Sequence, residues 1–161
     1  MKLNKKGSFG DIFYIAVVMF LFAIVITVGW VIHDKINDKW QTKTELGTAS
    51  LEIMQQSNDD YISLFDGVFL TMFVGLYIGS LILAYNIDVS PLFFFLSLFI
   101  MGVIVVITAV LGNSYYAFSQ NAGLINYADD FTFIPFILNN YVAVFVVMMF
   151  GLAGVMYAKT N

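Results

Sequence analysis

Apolar side chains fall along this chain in four long blocks, separated by stretches in which polar residues collect. The block 91–111, PLFFFLSLFIMGVIVVITAVL, is apolar on every face of a helix drawn through it, with only Ser97 and Thr108 as polar interruptions. A helix on a soluble core keeps one polar face. A helix crossing the ~30 Å hydrocarbon core needs about 20 apolar residues in a row. Hydrocarbon cannot satisfy backbone N–H and C=O groups, so such a block must be a helix or a strand of a closed barrel. The alternating polarity of a barrel strand is missing. The pattern predicts a transmembrane helix over 91–111, bounded by Pro91 and by Gly112-Asn113.

By the same reasoning, spans are expected over 12–32, 64–85 and 140–157, giving an even number of crossings and both termini on one side. The first block follows three lysines (Lys2, Lys5, Lys6). It is too long for a signal peptide and has no small-residue cleavage site, so a retained span is the better reading. A pilin-like leader fits less well, because Asp11 stands where no Glu does and three more spans follow. The last apolar block is longer than one plain span. Pro135 suits only a first helical turn, and Asn139-Asn140 would be costly at the bilayer centre. Residues 131–138 are therefore expected along the interface. Aromatic anchors (Tyr14, Trp30, Tyr85, Tyr115, Tyr116, Tyr141, Tyr157) fall near the boundaries drawn this way.

The one long hydrophilic stretch is 33–60. Ile32, Ile36 and Trp40 recur at i, i+4, and Leu51 and Met54 are three apart, which predicts an amphipathic helical arm continuing out of the membrane at least to Trp40. Gly47 is its expected kink or break. The arm carries six acids (Asp34, Asp38, Glu45, Glu52, Asp59, Asp60) against Lys35, Lys39 and Lys43. It reads as a solvated helical arm, and Ile36, Trp40, Leu51 and Met54 are the candidate contacts if it docks on a partner. The expected architecture is an all-α membrane protein with four transmembrane helices and a long acidic helical arm after the first.

Small residues supply the packing signal. Gly67, Thr71, Gly75 and Gly79 recur every four residues on the second span, and Gly151 and Gly154 (followed by Ala158) mark the fourth. Stripes of this kind let helix backbones approach closely. With only 86–90 between them, the second and third spans are expected to form an antiparallel hairpin at the packing centre.

Composition narrows the chemistry. The chain is 60% hydrophobic, has no Cys, and carries a net charge of −4. Its basic residues are lysines without an arginine. Disulfides and thiolate sites are excluded, bidentate arginine clamps are missing, and nucleic-acid binding is not expected. His33 is the only histidine, at a boundary beside Asp34, and reads as a residue in contact with water. Asp66 and Asp88 flank the second span and read as interfacial. No phosphate loop, nucleophile–base pair or metal spacing occurs, so neither enzyme activity nor a cofactor is expected. The charged midplane helices of a carrier are likewise missing.

From Tyr61 onward the order of features resembles small integral membrane proteins of tailless, membrane-containing bacterial viruses of the double-jelly-roll capsid lineage. The resemblance rests on Ser90-Pro91-Leu92-Phe93-Phe94-Phe95, on AVLGNSYY over 109–116, and on Phe133-Ile134-Pro135-Phe136-Ile137-Leu138-Asn139-Asn140. It implies a structural role in the virion's internal lipid membrane, with lipids, capsid or other virion membrane proteins and further copies of the chain as partners. Before assembly such a protein would lie in the host cytoplasmic membrane. A holin-like lysis protein and an accessory subunit of a cellular membrane complex are the alternatives. In a virion, repulsion from packed nucleic acid would point the acidic arm toward the capsid. Lysines number four on the terminal side against three on the arm, so the positive-inside bias only slightly favours cytoplasmic termini.

Overall fold

The computed structural model describes residues 10–42, 47–86 and 91–160. All of its elements are helices: α1 (Gly10–Gln41), α2 (Thr48–Tyr85), α3 (Pro91–Ser119), the short α4 (Ile125–Asp129) and α5 (Phe133–Asn139), and α6 (Tyr141–Thr160). Four are long and apolar enough to cross a membrane, over Ile12–Gln41, Ala49–Tyr85, Leu98–Ser119 and Tyr141–Ala158. The protein is an all-α membrane protein with four transmembrane helices.

Two helices are longer than any bilayer requires. At 1.5 Å per residue, the 32 residues of α1 span about 48 Å and the 38 of α2 about 57 Å. A bilayer with its headgroups is only about 40–45 Å thick. The hydrophilic stretch is thus not a separate domain: the first and second spans run on without interruption into the arm. Gly47 is the N-cap of α2, with extended backbone at φ −67° and ψ 158°, so the break falls at the tip of the arm.

Packing runs in a ring: α1 against α2, α2 against α6, α6 against α3, and α3 against α1. This corrects the expected hairpin at the packing centre, since α2 and α3 take opposite corners. Residues 87–90 of their link lie outside the described residues. The physical reason is α5, which packs on both α2 and α3 and buries Ile134, Ile137 and Leu138. A short link makes two helices antiparallel but does not oblige them to touch when a third element offers more apolar area.

That wedge adds contacts to the segment 131–138, expected along the interface. Phe131, Ile134, Ile137 and Leu138 are buried against the bundle while Phe133 and Phe136 stay exposed, so one face of this segment plugs the bundle and the other faces outward. The helix α3 does not end at Gly112-Asn113 but continues to Ser119. Gly112 is a point of close approach. A Cβ there would sit 3.2 Å from the Tyr141 Cβ and 3.3 Å from the Leu138 carbonyl oxygen.

The small-residue stripes are divided by the same ring. A Cβ at Gly67, Gly75, Gly79 or Gly154 would meet open space, and Thr71 is exposed, donating its hydroxyl back to the Gly67 carbonyl at 2.8 Å. Within one chain, the stripe on α2 faces outward and joins no helix pair. Gly151 differs, because the Tyr77 hydroxyl lies directly over its Cα. The buried core is instead lined by α1 (Ile12, Ala16, Met19, Ala23, Ile26) facing Phe69, Phe73 and Phe145.

Candidate functional site at the base of the arm

The arm is held shut by side-chain amides. The Asn37 amide, on the buried side of α1, donates to the Met54 carbonyl at 3.3 Å, and the Asn58 amide donates to Asp34 Oδ1 at 3.3 Å. These bonds fix α1 against α2 beyond the apolar stretches of the two helices. Of the candidate contact residues, Leu51 and Met54 are half-buried in the arm, whereas Ile36 and Trp40 remain about half exposed, at 51% and 52%. Ile53 is exposed on α2 as well.

Below the amides lies an aromatic stack. His33 lies 5.9 Å from Trp30 and 5.0 Å from Tyr61, and Tyr61 lies 4.3 Å from Phe65, ring centroid to ring centroid. His33, expected in contact with water, is half-buried: its ring packs against both Trp30 and Tyr61, which lie 5.4 Å from each other, and its Nε2 is buried with no hydrogen-bond partner among the described residues. Gly29 makes room for the stack, since a Cβ there would fall 2.6 Å from the Tyr61 hydroxyl.

Two carboxylates then tie the α4–α5 segment to this base. The Trp30 indole N–H donates to Asp130 Oδ2 at 2.8 Å. Asp66, expected at the interface, is 6% exposed. It accepts from the backbone N–H groups of Thr132 (2.9 Å), Phe133 (3.0 and 2.9 Å to its two oxygens) and Ile134 (3.0 Å). The first turn of a helix leaves its N–H groups without intrahelical partners. A carboxylate there gains both hydrogen bonds and the favourable end of the helix dipole. Asp66 belongs to α2, so the cap is supplied across the bundle. Nothing local in the sequence signals it.

Tyr127 of α4 completes the base. Its phenol is pushed above the ordinary value of 10.0, by burial first and then by Asp34, Asp38 and Asp130, with a hydrogen bond to Asp34 also favouring the protonated form. The hydroxyl therefore stays a donor to the arm at neutral pH. Taken together, α1, α2, α4 and α5 form one hydrogen-bonded joint between the membrane bundle and the arm.

Among the described residues no group of three His, Asp or Glu side chains can hold a metal ion. Asp66 spends its oxygens on backbone N–H groups, and the His33 imidazole packs against the rings of Trp30 and Tyr61. Asp88, Lys43 and Glu45 lie outside the described residues, as do Lys2, Lys5 and Lys6. Set against protein-family models, curated proteins and solved structures, the chain gives no match to any of them.

Proposed function

We propose that the protein is a structural component of a membrane, anchoring a rigid acidic arm that links the bilayer to a protein layer above it. The observation that carries this reading is the continuity of α1 and α2 from span to arm, clamped at the base by Asp66, Asp130 and the aromatic stack. A solvated loop would dissipate force applied at its tip, whereas two clamped helices transmit it to the bundle. Ile36, Trp40 and Ile53 give the arm exposed apolar side chains among its acids, the composition of a surface that a protein partner covers.

The resemblance of the C-terminal hundred residues directs this reading to a virion's internal membrane, with capsid protein as the layer above. The acidic arm would then face the capsid and the termini the genome, because a polyanion repels the arm. The outward stripe of α2 leaves the chain a close-packing face toward other membrane proteins or further copies.

The experiment is cross-linking from the arm tip in intact membranes or particles. A photoreactive side chain at Ile36 or Ile53 should capture one protein partner from the layer outside the bilayer. Capture only of lipid, or of nothing, would refute the arm as a link. Labelling at Ser50 in particles stripped of capsid, with Ser8 protected, is the expected orientation; the reverse pattern would overturn it.

A further inference from the structure

The face between α3 and α6 carries two clefts in line, one apolar and one polar, which together form a groove. On α3, Leu98, Met101, Gly102 and Val105 line an apolar section of about 220 Å³, opposite Val146, Met149, Phe150 and Ala153 of α6. Farther toward the arm side, Ala109, Gly112, Asn113 and Tyr116 line a polar section of about 400 Å³ with Asn139 and Asn140. On α3 these positions continue one another at seven-residue intervals (98, 105, 112 and 102, 109, 116). On α6 they do so from 142 to 149 and from 143 to 150. Residues seven apart lie on one side of a helix, so the two sections belong to the same face.

The polar section lies at the arm-side boundary of the bundle, at the level where lipid headgroups meet hydrocarbon. Asn113 is six residues, about 9 Å, inside the Ser119 end of the third span, and Asn139-Asn140 directly precede the fourth. Asn113, Asn139, Asn140 and Tyr116 are exposed on the outer surface of the bundle. Asn140 has committed its amide N–H to the Phe136 carbonyl at 2.8 Å, which leaves its carbonyl oxygen as an acceptor. The Asn113 and Asn139 amides and the Tyr116 hydroxyl are donors with no partner among the described residues. Amide and phenol donors gathered at headgroup level beside an apolar cleft match the plan of a lipid, polar at one end and apolar below.

We infer that this groove holds one glycerophospholipid, its headgroup at Asn113, Tyr116, Asn139 and Asn140 and an acyl chain in the apolar section around Gly102. The phosphodiester accepts from the carboxamide and phenol donors, and the free Asn140 oxygen accepts from a donor on the headgroup. Ethanolamine and glycerol headgroups have such a donor, whereas choline has none. A helix from a second copy is the poorer occupant, since an apolar helix would cover the carboxamides and satisfy none of them. Without a cationic side chain the site selects by hydrogen bonding, not by charge.

The test is native mass spectrometry of the full chain, extracted in detergent and supplied in turn with phosphatidylethanolamine, phosphatidylglycerol and phosphatidylcholine. One lipid should stay bound, with the two donor-bearing headgroups retained about fivefold better than choline, the worth of one net hydrogen bond. Gly102→Phe fills the apolar section from a position where a Cβ meets nothing, and should abolish retention of all three lipids. Ala153→Phe repeats this from the opposite wall if Gly102→Phe does not fold. Asn140→Leu should erase the headgroup preference while leaving some retention, whereas Asn113→Leu with Asn139→Leu should weaken retention of all three lipids alike. Absence of a retained lipid, retention unchanged by the filling variants, or cross-linking of position 102 to a second copy of the chain would each overturn the inference.

Discussion

Replacing Asp66 with Ala is the most direct probe of the joint. The substitution removes the acceptor for three backbone N–H groups at the start of α5 while leaving the backbone of α2 untouched. A buried donor left unsatisfied costs roughly 1–3 kcal/mol, so the three together set a range of about 3–9 kcal/mol. A cleft of about 560 Å³ beside Asp66, lined by Asp59, Ser63, Thr132 and Phe133, gives water a route to the freed donors. That access pulls the cost to the low end, near 3 kcal/mol. Local opening of α5 should then become about 100-fold more frequent, read as faster exchange of the Phe133 and Ile134 amides in detergent micelles or nanodiscs. Asp66→Asn keeps one acceptor oxygen and should recover about half of the loss on a free-energy scale. Unchanged exchange at Phe133 and Ile134 in Asp66→Ala, with an unchanged unfolding midpoint, would refute the idea that this carboxylate holds the plug.

Other outcomes follow from the same geometry. Gly29→Ala drives a methyl toward the stacked Tyr61 hydroxyl and should cost about 1–3 kcal/mol by chemical unfolding in detergent. Gly75→Leu and Gly79→Leu point into open space and should leave the stability of a single chain within about 0.5 kcal/mol, while any association between chains responds. Trp30→Phe loses the bond to the exposed carboxylate of Asp130 and should cost about 1 kcal/mol, read as weaker amide protection in α4. For Tyr127 the raised folded value means the fold favours the protonated phenol. Its contribution is complete below pH 10.0 and is lost as pH rises through the folded value, a loss that Tyr127→Phe should remove from the alkaline unfolding profile.

The four spans and the arm were legible in the sequence because both depend on local composition. Twenty apolar residues in lipid have no alternative to a helix, and the Ile32, Ile36, Trp40 register needs only helical periodicity. Which helices touch was another matter. The Gly67, Thr71, Gly75, Gly79 stripe shows that α2 can pack closely, but not on what, and the fold turns it outward. In lipid no hydrophobic force drives one apolar face inward over another, so a stripe alone does not choose its partner. The choice fell to the seven residues of α5, which bury Ile134, Ile137 and Leu138 between α2 and α3. Asp66 is legible only with the fold in hand, since its cap crosses from α2 to Thr132, Phe133 and Ile134. Capping by a residue on the same strand of chain leaves a sequence signature, whereas capping from another helix leaves none. The chain's composition thus determined that it crosses a membrane four times. Its tertiary structure decided that a buried carboxylate, an aromatic stack and a wedged helix meet where two of those crossings run on into the arm.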